Sequence, residues 1–460
     1  MSTSVADKRR NGLRLKAVVD REKSKVIFIE ADSDFVDVLL SFLTIPIGTA
    51  ITLAQKQLVS TGMGCVINVH TSVKNMDLQY LHFQSEAGKI MLLSPCTEAA
   101  SYCEKLKLKI DNADHTEKVF CCSGSESDCT RGTYKLLSPY KDVLCKCGSP
   151  MNLEMFLKKS LSEQHMGGFV NEKTKFLVTD ELQVIPLSTA ANLSLSAKHG
   201  VTDDSFIEEI VFDVRANEIL KLLFCSVVTN SPLTEILMKH IDVPPLNCLS
   251  LRDEKIFFKS AKAVKSTTDR EGNNITVKLM FSKYKNIVCY AEANKDFVNL
   301  LFSFLTVPLN YMAKNLSDVS FRGCIHHLYK SAQDLGERFF KSQSHKSIPV
   351  NPCLPYGFSY GSDLLGIGKA SHPIYYYAYN SNIIYPGGYY VEPLLTNDKS
   401  LICSSRYEGS VPLKVIGSTS DNTFSNGNDG GIVSVPTTMF IVTDSLTISL
   451  PVLACPFSRN

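Results

Sequence analysis

The sequence lacks an excess of charge of either sign: 48 Lys and Arg stand against 46 Asp and Glu, a net of +2 over 460 residues. No global field of that kind would hold a polyanion, so neither nucleic acid nor an acidic membrane surface is an expected partner. The first residues, MSTSVADKRRNGLRLK, lack the apolar core of a secretory signal, and secretion is not expected. Uninterrupted apolar runs are missing too. The most apolar stretch, Phe35 to Leu53, contains Asp37, Pro46 and Gly48, whereas a membrane span needs about 20 consecutive apolar residues. It reads as an amphipathic helix ending in a turn, with no membrane anchor. An even, regularly spaced cysteine framework is absent as well. The 15 cysteines are scattered, which points to reduced thiols in the cytosol or nucleus. What remains is ordinary globular composition, 44% hydrophobic and 20% charged, in a chain long enough for about two to four domains.

The informative feature is a repeat. EADSDFVDVLLSFLTIPIG at 30–48 returns as EANKDFVNLLFSFLTVPLN at 292–310. With Leu13 placed over Ile275, the copies run without a gap to Pro46 and Pro308, and 14 of the 34 pairs are identical. LRLKAVVD and KVIFIEA, joined by the polar REKS, are β-branched and aromatic runs that predict a hairpin. Asp32 and Asp34 supply a cap and a first-turn charge to a helix whose apolar positions, Phe35, Val38, Leu39, Phe42 and Leu43, recur at three and four. Pro46 is expected to stop it. FLVTDELQVIPL from Phe176 and FIVTDSLTISLP from Phe440 close the two copies at nearly the same offset. A fainter echo, EILKLLFCSVVTNSPLTEIL from Glu218, keeps Ser226, Thr229 and a following Pro232.

These patterns predict an α+β fold of two homologous domains, each opening with a β-hairpin and a helix, with mixed or antiparallel sheets. The expected division is a disordered N-terminus at 1–10, a first repeat domain at 11–195 with a cysteine loop at 119–150, a degenerate segment at 196–245 packing on the first domain, a linker at 246–273, and a second repeat domain at 274–456. Duplicated units of this kind usually share a buried face.

KVIFIEADSDFVDVLLSFLTIPIG, CKCGSPMN, and FLVTDELQVIPLS followed by LLFCSVVTNSPLTEIL together resemble a plant family known as domain of unknown function 674. The resemblance covers nearly the whole chain. It implies a plant protein built of duplicated domains, and it implies no established activity.

The best candidate for chemistry is a cysteine cluster. VFCCSGSESDCTRG and LCKCGSP offer Cys122, Cys129, Cys145 and Cys147 as four thiolates for a structural zinc, with Cys121 as an alternative ligand. Gly148 after the last cysteine suits a tight metal knuckle. The spacing is irregular, since Cys-x6-Cys and Cys-x-Cys replace the usual Cys-x2-Cys pairs, and the family pattern implies two residues between the second pair. Two readings stand: a structural zinc, or a remnant whose thiols are simply reduced. His115 is the only nearby histidine. In the second copy, Tyr375, Tyr376, Tyr377, Tyr389 and Tyr390 occupy the corresponding region with only Cys403, so a core would do there what a metal does in the first.

The remaining motifs read as structure. Glu30, Asp32 and Asp34 suit a helix start, and Asp32 becomes Asn294 in the second copy, which a paired-carboxylate mechanism would not tolerate. GFSYG at 357–361 matches a nucleophile elbow, but prolines precede it and the only later histidine, His372, lies 13 residues on, where such an enzyme usually has it far downstream. Gly366 and Gly368 lack a full phosphate-loop pattern. KLKLKI at 105–110 reads as a half-buried strand, His326 and His327 as neighbours on a helix that point apart, and Gly417 to Gly431 as a low-complexity insertion. The expected function is a non-catalytic scaffold that binds a protein or ligand, in the cytosol or nucleus. The alternatives are a zinc-ribbon-like nucleic-acid or transcription-related adaptor, and an enzyme with its site between the copies.

Overall fold

The computed structural model describes residues between Gly12 and Pro451. The longer stretches outside the description are 1–11, 109–117, 123–135, 159–166, 199–206, 239–274, 316–322, 359–364, 402–407, 416–431 and 452–460. The expected N-terminal disorder, linker and low-complexity insertion fall there, as do Cys129, His115, Ser359 and Cys403; Tyr390 and Gly366 are also outside.

The first copy runs β1 (Leu13–Asp20), β2 (Lys25–Ala31), α1 (Ser33–Thr44), α2 (Ile47–Gln57), α3 (Val66–Asn75), α4 (Glu86–Leu93), β3 (Lys118–Cys122), β4 (Leu136–Ser138), β5 (Val143–Leu144), β6 (Pro150–Phe156), β7 (Phe176–Thr179) and β8 (Val184–Pro186). A middle segment adds β9 (Ile207–Val214), α5 (Ala216–Val228) and α6 (Pro232–Leu237). The second copy follows with β10 (Val277–Ser282), β11 (Ile287–Ala293), α7 (Lys295–Ser303), α8 (Leu309–Asn315), α9 (Ile325–Asp334), α10 (Gln343–Val350), β12 (Tyr375–Asn380), β13 (Glu392–Thr396), β14 (Glu408–Val415), β15 (Phe440–Thr443) and β16 (Ile448–Ser449). The fold is α+β. Among the described residues no helix is long and apolar enough to cross a membrane.

Equivalent sequences fold equivalently. Each hairpin is antiparallel and carries an irregularity at the same point, between Val18 and Val19 and between Met280 and Phe281. Phe28 pairs with Thr179 as Tyr290 pairs with Thr443, so the closing strands β7 and β15 lie beside β2 and β11 in one register. Asp32 accepts the Phe35 amide at 3.2 Å and Asn294 accepts the Phe297 amide at 3.1 Å; an N-cap needs the oxygen, not the charge. Ser41, Ser303 and the middle segment's Ser226 each donate to the carbonyl three residues back, at 2.6, 2.7 and 2.6 Å. Pro46 ends α1 as expected, but α2 starts at the next residue. The proline bends the chain instead of ending helical structure, because proline is suited to the position just before or at a new first turn.

The helices do not stay with their own copy. Pro46 and Pro308 face each other across a bridge in which the Ile47 amide donates to Val307 and the Leu309 amide to Ile45, at 2.9 and 3.0 Å. The two bonds exchange residues that are equivalent in sequence. Beside this bridge α1 packs on α8, α9 and α10 of the second copy, while α3 packs on α7 and β16. Ser72 on α3 accepts the Ile448 amide at 2.9 Å, and Ser331 on α9 accepts the Val184 amide at 3.0 Å. Likewise Val170 bridges Phe340, and Leu81 bridges Val433. The closing hairpins β7–β8 and β15–β16 are thus each met by a helix from the other half of the chain, α9 and α3.

Three larger sheets result. The first has the order β8-β7-β2-β1-β9, the second β10-β11-β15-β16, and the third β13-β12-β14-β4-β3-β6-β5. The third is shared, since β14 of the second copy runs parallel to β4 of the first. Residues 106–108, expected in a strand, are irregular; Leu106 and Leu108 are buried and Lys107 points to solvent, where it meets Asp34 at 3.5 Å. Alternation there reflects a chain lying on a core, without the ladder partner that would make it a strand.

Candidate metal centre

One end of the shared sheet gathers thiols. Cys122 ends β3, which pairs with β6 at Met151, and Cys145 and Cys147 lie on the turn between β5 and β6. The turn is closed by the Gly148 amide donating to Cys145 at 2.8 Å and the Cys145 amide to Ser149 at 2.9 Å. Gly148 has φ +83°, a conformation that costs glycine little and other residues more. Side chains from two segments 23 residues apart in sequence therefore meet: the sulfurs of Cys122, Cys145 and Cys147 all lie within 4.8 Å of one another, and those of Cys122 and Cys147 are 3.3 Å apart.

Four thiolates at about 2.3 Å from zinc stand roughly 3.8 Å from one another, so three of the positions of a tetrahedral site are in place. Cys122 and Cys145 are buried, and Cys147 is exposed. Burial pushes the Cys145 thiol up to about 11, while the Cys147 amide donates to it and holds it back. A bound cation would reverse the first of these effects by deprotonating the thiol. Cys129, the fourth expected ligand, is outside the described residues. Cys121 is turned elsewhere. It packs with Val119, Leu137, Met155 and Leu395 in a separate apolar cluster, with its sulfur 3.2 Å from that of Met155. Tyr375 of the second copy packs on the same cluster.

A sequence reader would miss the buried acids, although the repeat displays them. Asp37 and Asn299 are equivalent residues on α1 and α7. Asp37 Oδ1 accepts the amides of Phe169 and Val170 at 2.6 and 2.8 Å, and Asn299 Oδ1 accepts those of Ile432 and Val433 at 2.9 and 2.8 Å. Gly168 is required beside Asp37, because a Cβ there would stand 2.0 Å from Oδ2. Burial lifts the Asp37 carboxyl to about 6, partly offset by the two amides and by Lys341. Asp180 receives the amide and hydroxyl of Thr234 at 2.9 and 2.6 Å. His70 lies 3.0 Å from Thr52, whose hydroxyl donates to Leu93, and burial drives its imidazole down to about 4.

Two clefts lie at equivalent places between the copies. One, of 490 Å³, is lined by the β7–β8 hairpin and α9, with His327, Lys330 and Asp334 at its rim. The other, of 430 Å³, is lined by the β16 region and α3, where the matching positions are Asn68, Thr71 and Asn75. His327 stands 3.8 Å from Glu181, and His326 faces the Gly323 carbonyl at 3.2 Å. The expectation that these adjacent histidines point apart is not met, since their ring centroids lie 4.0 Å from each other.

The family described as protein of unknown function (DUF674) matches residues 9–453. The chain belongs to this family. No curated protein and no solved structure matches the chain. Family membership carries no activity with it, so function has to be argued from the residues themselves.

Proposed function

We propose that this DUF674 chain is a non-catalytic scaffold that binds another protein, with the shared sheet fastened at one end by a structural zinc on Cys122, Cys145 and Cys147 and with Cys129 as the fourth ligand that the sequence offers. The observation that carries the metal reading is the convergence of three thiols from two stretches within 4.8 Å. The scaffold reading is supported by how the buried polar groups are used. Asp37, Asp180 and Asn299 each hold amides of distant segments, work that joins pieces of the fold. A zinc ion in such a place contributes folding energy and closes a sheet end.

The test is metal analysis of the full chain purified under reducing conditions. About one zinc per chain is expected, lost in Cys145→Ser and in the fourfold change of Cys122, Cys129, Cys145 and Cys147 to serine. Chelation is expected to lower the melting temperature of the parent and leave the fourfold variant unchanged. Protein that takes up no zinc from zinc-supplemented medium would defeat the metal reading.

A further inference from the structure

The two hairpins are alike, but their surroundings are not. β1 is flanked on its outer side by β9 through eight residue pairs, from Leu13 opposite Val214 to Asp20 opposite Ile207. The middle segment then lays its helices over the same sheet. Leu220, Leu223, Phe224 and Leu233 share one buried cluster with Leu15, Ala17 and Val26, and the Val26 amide donates to Thr234 at 2.9 Å. β10 is an edge of its sheet, and among the described residues no strand pairs with its outer side. The consequence is visible residue by residue. Leu15, Ala17 and Val26 are 2%, 0% and 0% exposed, whereas their equivalents Val277, Leu279 and Val288 are 36%, 57% and 36% exposed. Asp180, buried beneath the start of α6, corresponds to Asp444, which faces solvent.

A long apolar edge left open is a template for a further strand. The first copy shows which strand fits. On β1, Arg14 meets Asp213 at 3.2 Å, Lys16 meets Glu209 at 2.8 Å, and Arg21 meets Glu208. Of those three basic positions the second copy keeps Lys278, which meets Glu292 of β11 at 2.9 Å, and Lys283, while Arg14 becomes Thr276; Lys285 follows in sequence. A second β10, VKLMFS, laid against the first would bring no acidic side chain to Lys278. The chain's own preceding run is basic as well, with Arg252, Lys255, Lys259, Lys262 and Lys265 against Asp253 and Glu254. Charge complementarity selects an acidic strand from elsewhere.

We propose that the outer edge of β10, with the apolar face of Val277, Leu279 and Val288, is a docking site for a partner protein that supplies an acid-rich extended strand followed by an amphipathic helix, as residues 207–237 do on β1. The strand adds antiparallel to β10, and the helix covers the apolar face with its first turn near Asp444. This names the surface that the scaffold reading needs, and it rests on that reading for the existence of a protein partner.

The probe is a labelled synthetic peptide of residues 205–240, titrated onto the full-length protein in reducing buffer. Saturable binding is expected, weakened about tenfold or more by Leu279→Asp in the protein, since the lost burial of one leucine is worth over tenfold. A peptide carrying Glu208→Lys, Glu209→Lys and Asp213→Lys is expected to bind at least about tenfold more weakly at low salt. Val277→Glu gives the same reading if Leu279→Asp does not fold. The proposal is overturned by absence of binding, or by binding that Leu279→Asp leaves unchanged, which would mean exchange at β1. It is also overturned if Leu279→Asp converts a dimer to a monomer, since a second copy is then the occupant, or if the amides of 277–282 in the isolated monomer resist exchange as strongly as those of β1. Zinc content is measured in parallel: loss of docking with zinc retained rejects the docking site and leaves the metal reading intact.

Discussion

Replacing Asp37 by asparagine converts the first copy's anchor into the second's. In both copies one side-chain oxygen receives two buried amides, and in the second an uncharged amide side chain does so. The charge at Asp37 is therefore not needed for the bonds. It is costly, because burial raises the carboxyl from an ordinary 3.8 to about 6. Between those values the folded chain holds a proton that the unfolded chain has released, so the Asp37 contribution falls as pH rises from about 4 to 6 and is flat above. The size of the fall is about 3 kcal/mol. His70, held near 4 by burial, has the opposite slope: its contribution is complete above about 6.5 and is lost as pH falls toward 4. The two slopes overlap, so the parent's own pH profile is flattened and the difference between variants is the quantity to read. Guanidinium unfolding of the parent and Asp37→Asn at pH 4, 5, 6 and 7 is expected to show the variant gaining on the parent by about 3 kcal/mol between pH 4 and 7. Asp37→Ala, which leaves two buried amides without an acceptor, is expected to be destabilised at every pH, by about 2–5 kcal/mol. A difference between Asp37→Asn and the parent that does not change with pH, or that shrinks as pH rises, would refute the reasoning.

Two further outcomes follow from the exchanged helices. Ser72→Ala and Ser331→Ala each remove the acceptor of an amide belonging to the other copy and are expected to cost about 1–3 kcal/mol apiece by chemical denaturation; because the sites are distant, the double variant should show the sum. Gly323→Ala places a Cβ 2.2 Å from the Val227 carbonyl oxygen, where the Cys324 amide donates to Ser226 at 2.8 Å. It is expected to lower stability by about 1–3 kcal/mol or more, and a variant that melts with the parent would show that the middle segment and α9 are not in close contact.

Much of this was legible before any coordinates. The hairpin, the cap at Asp32 and the apolar stripe of α1 are set by neighbours within a few positions, and such signals survive in sequence. The Cys122, Cys145 and Cys147 cluster was legible because the thiols lie on two short stretches. The exchange of helices was not, because nothing local in Ser72 or Ser331 distinguishes a bond within a copy from one across copies. Asp37 and Asn299 could have been found by asking why one polar position recurs inside an apolar helix face. The exposed edge at β10 was hidden for a different reason. Val277 and Leu279 read like Leu15 and Ala17, and only the absence of a β9 counterpart among the described residues separates them.

The pairing of α1 with α9 and α10 has a consequence for synthesis. Ser33 to Thr44 emerge some 300 residues before the surfaces that cover them are complete at Val350. At about 5–20 residues per second, that leaves the part of α1 that meets α9 and α10 waiting roughly 15–60 s on the ribosome. Nascent chains stalled before α10 should therefore be a strong client for hydrophobe-binding chaperones, and severing the chain between the halves should yield two insoluble pieces that regain solubility only when made together.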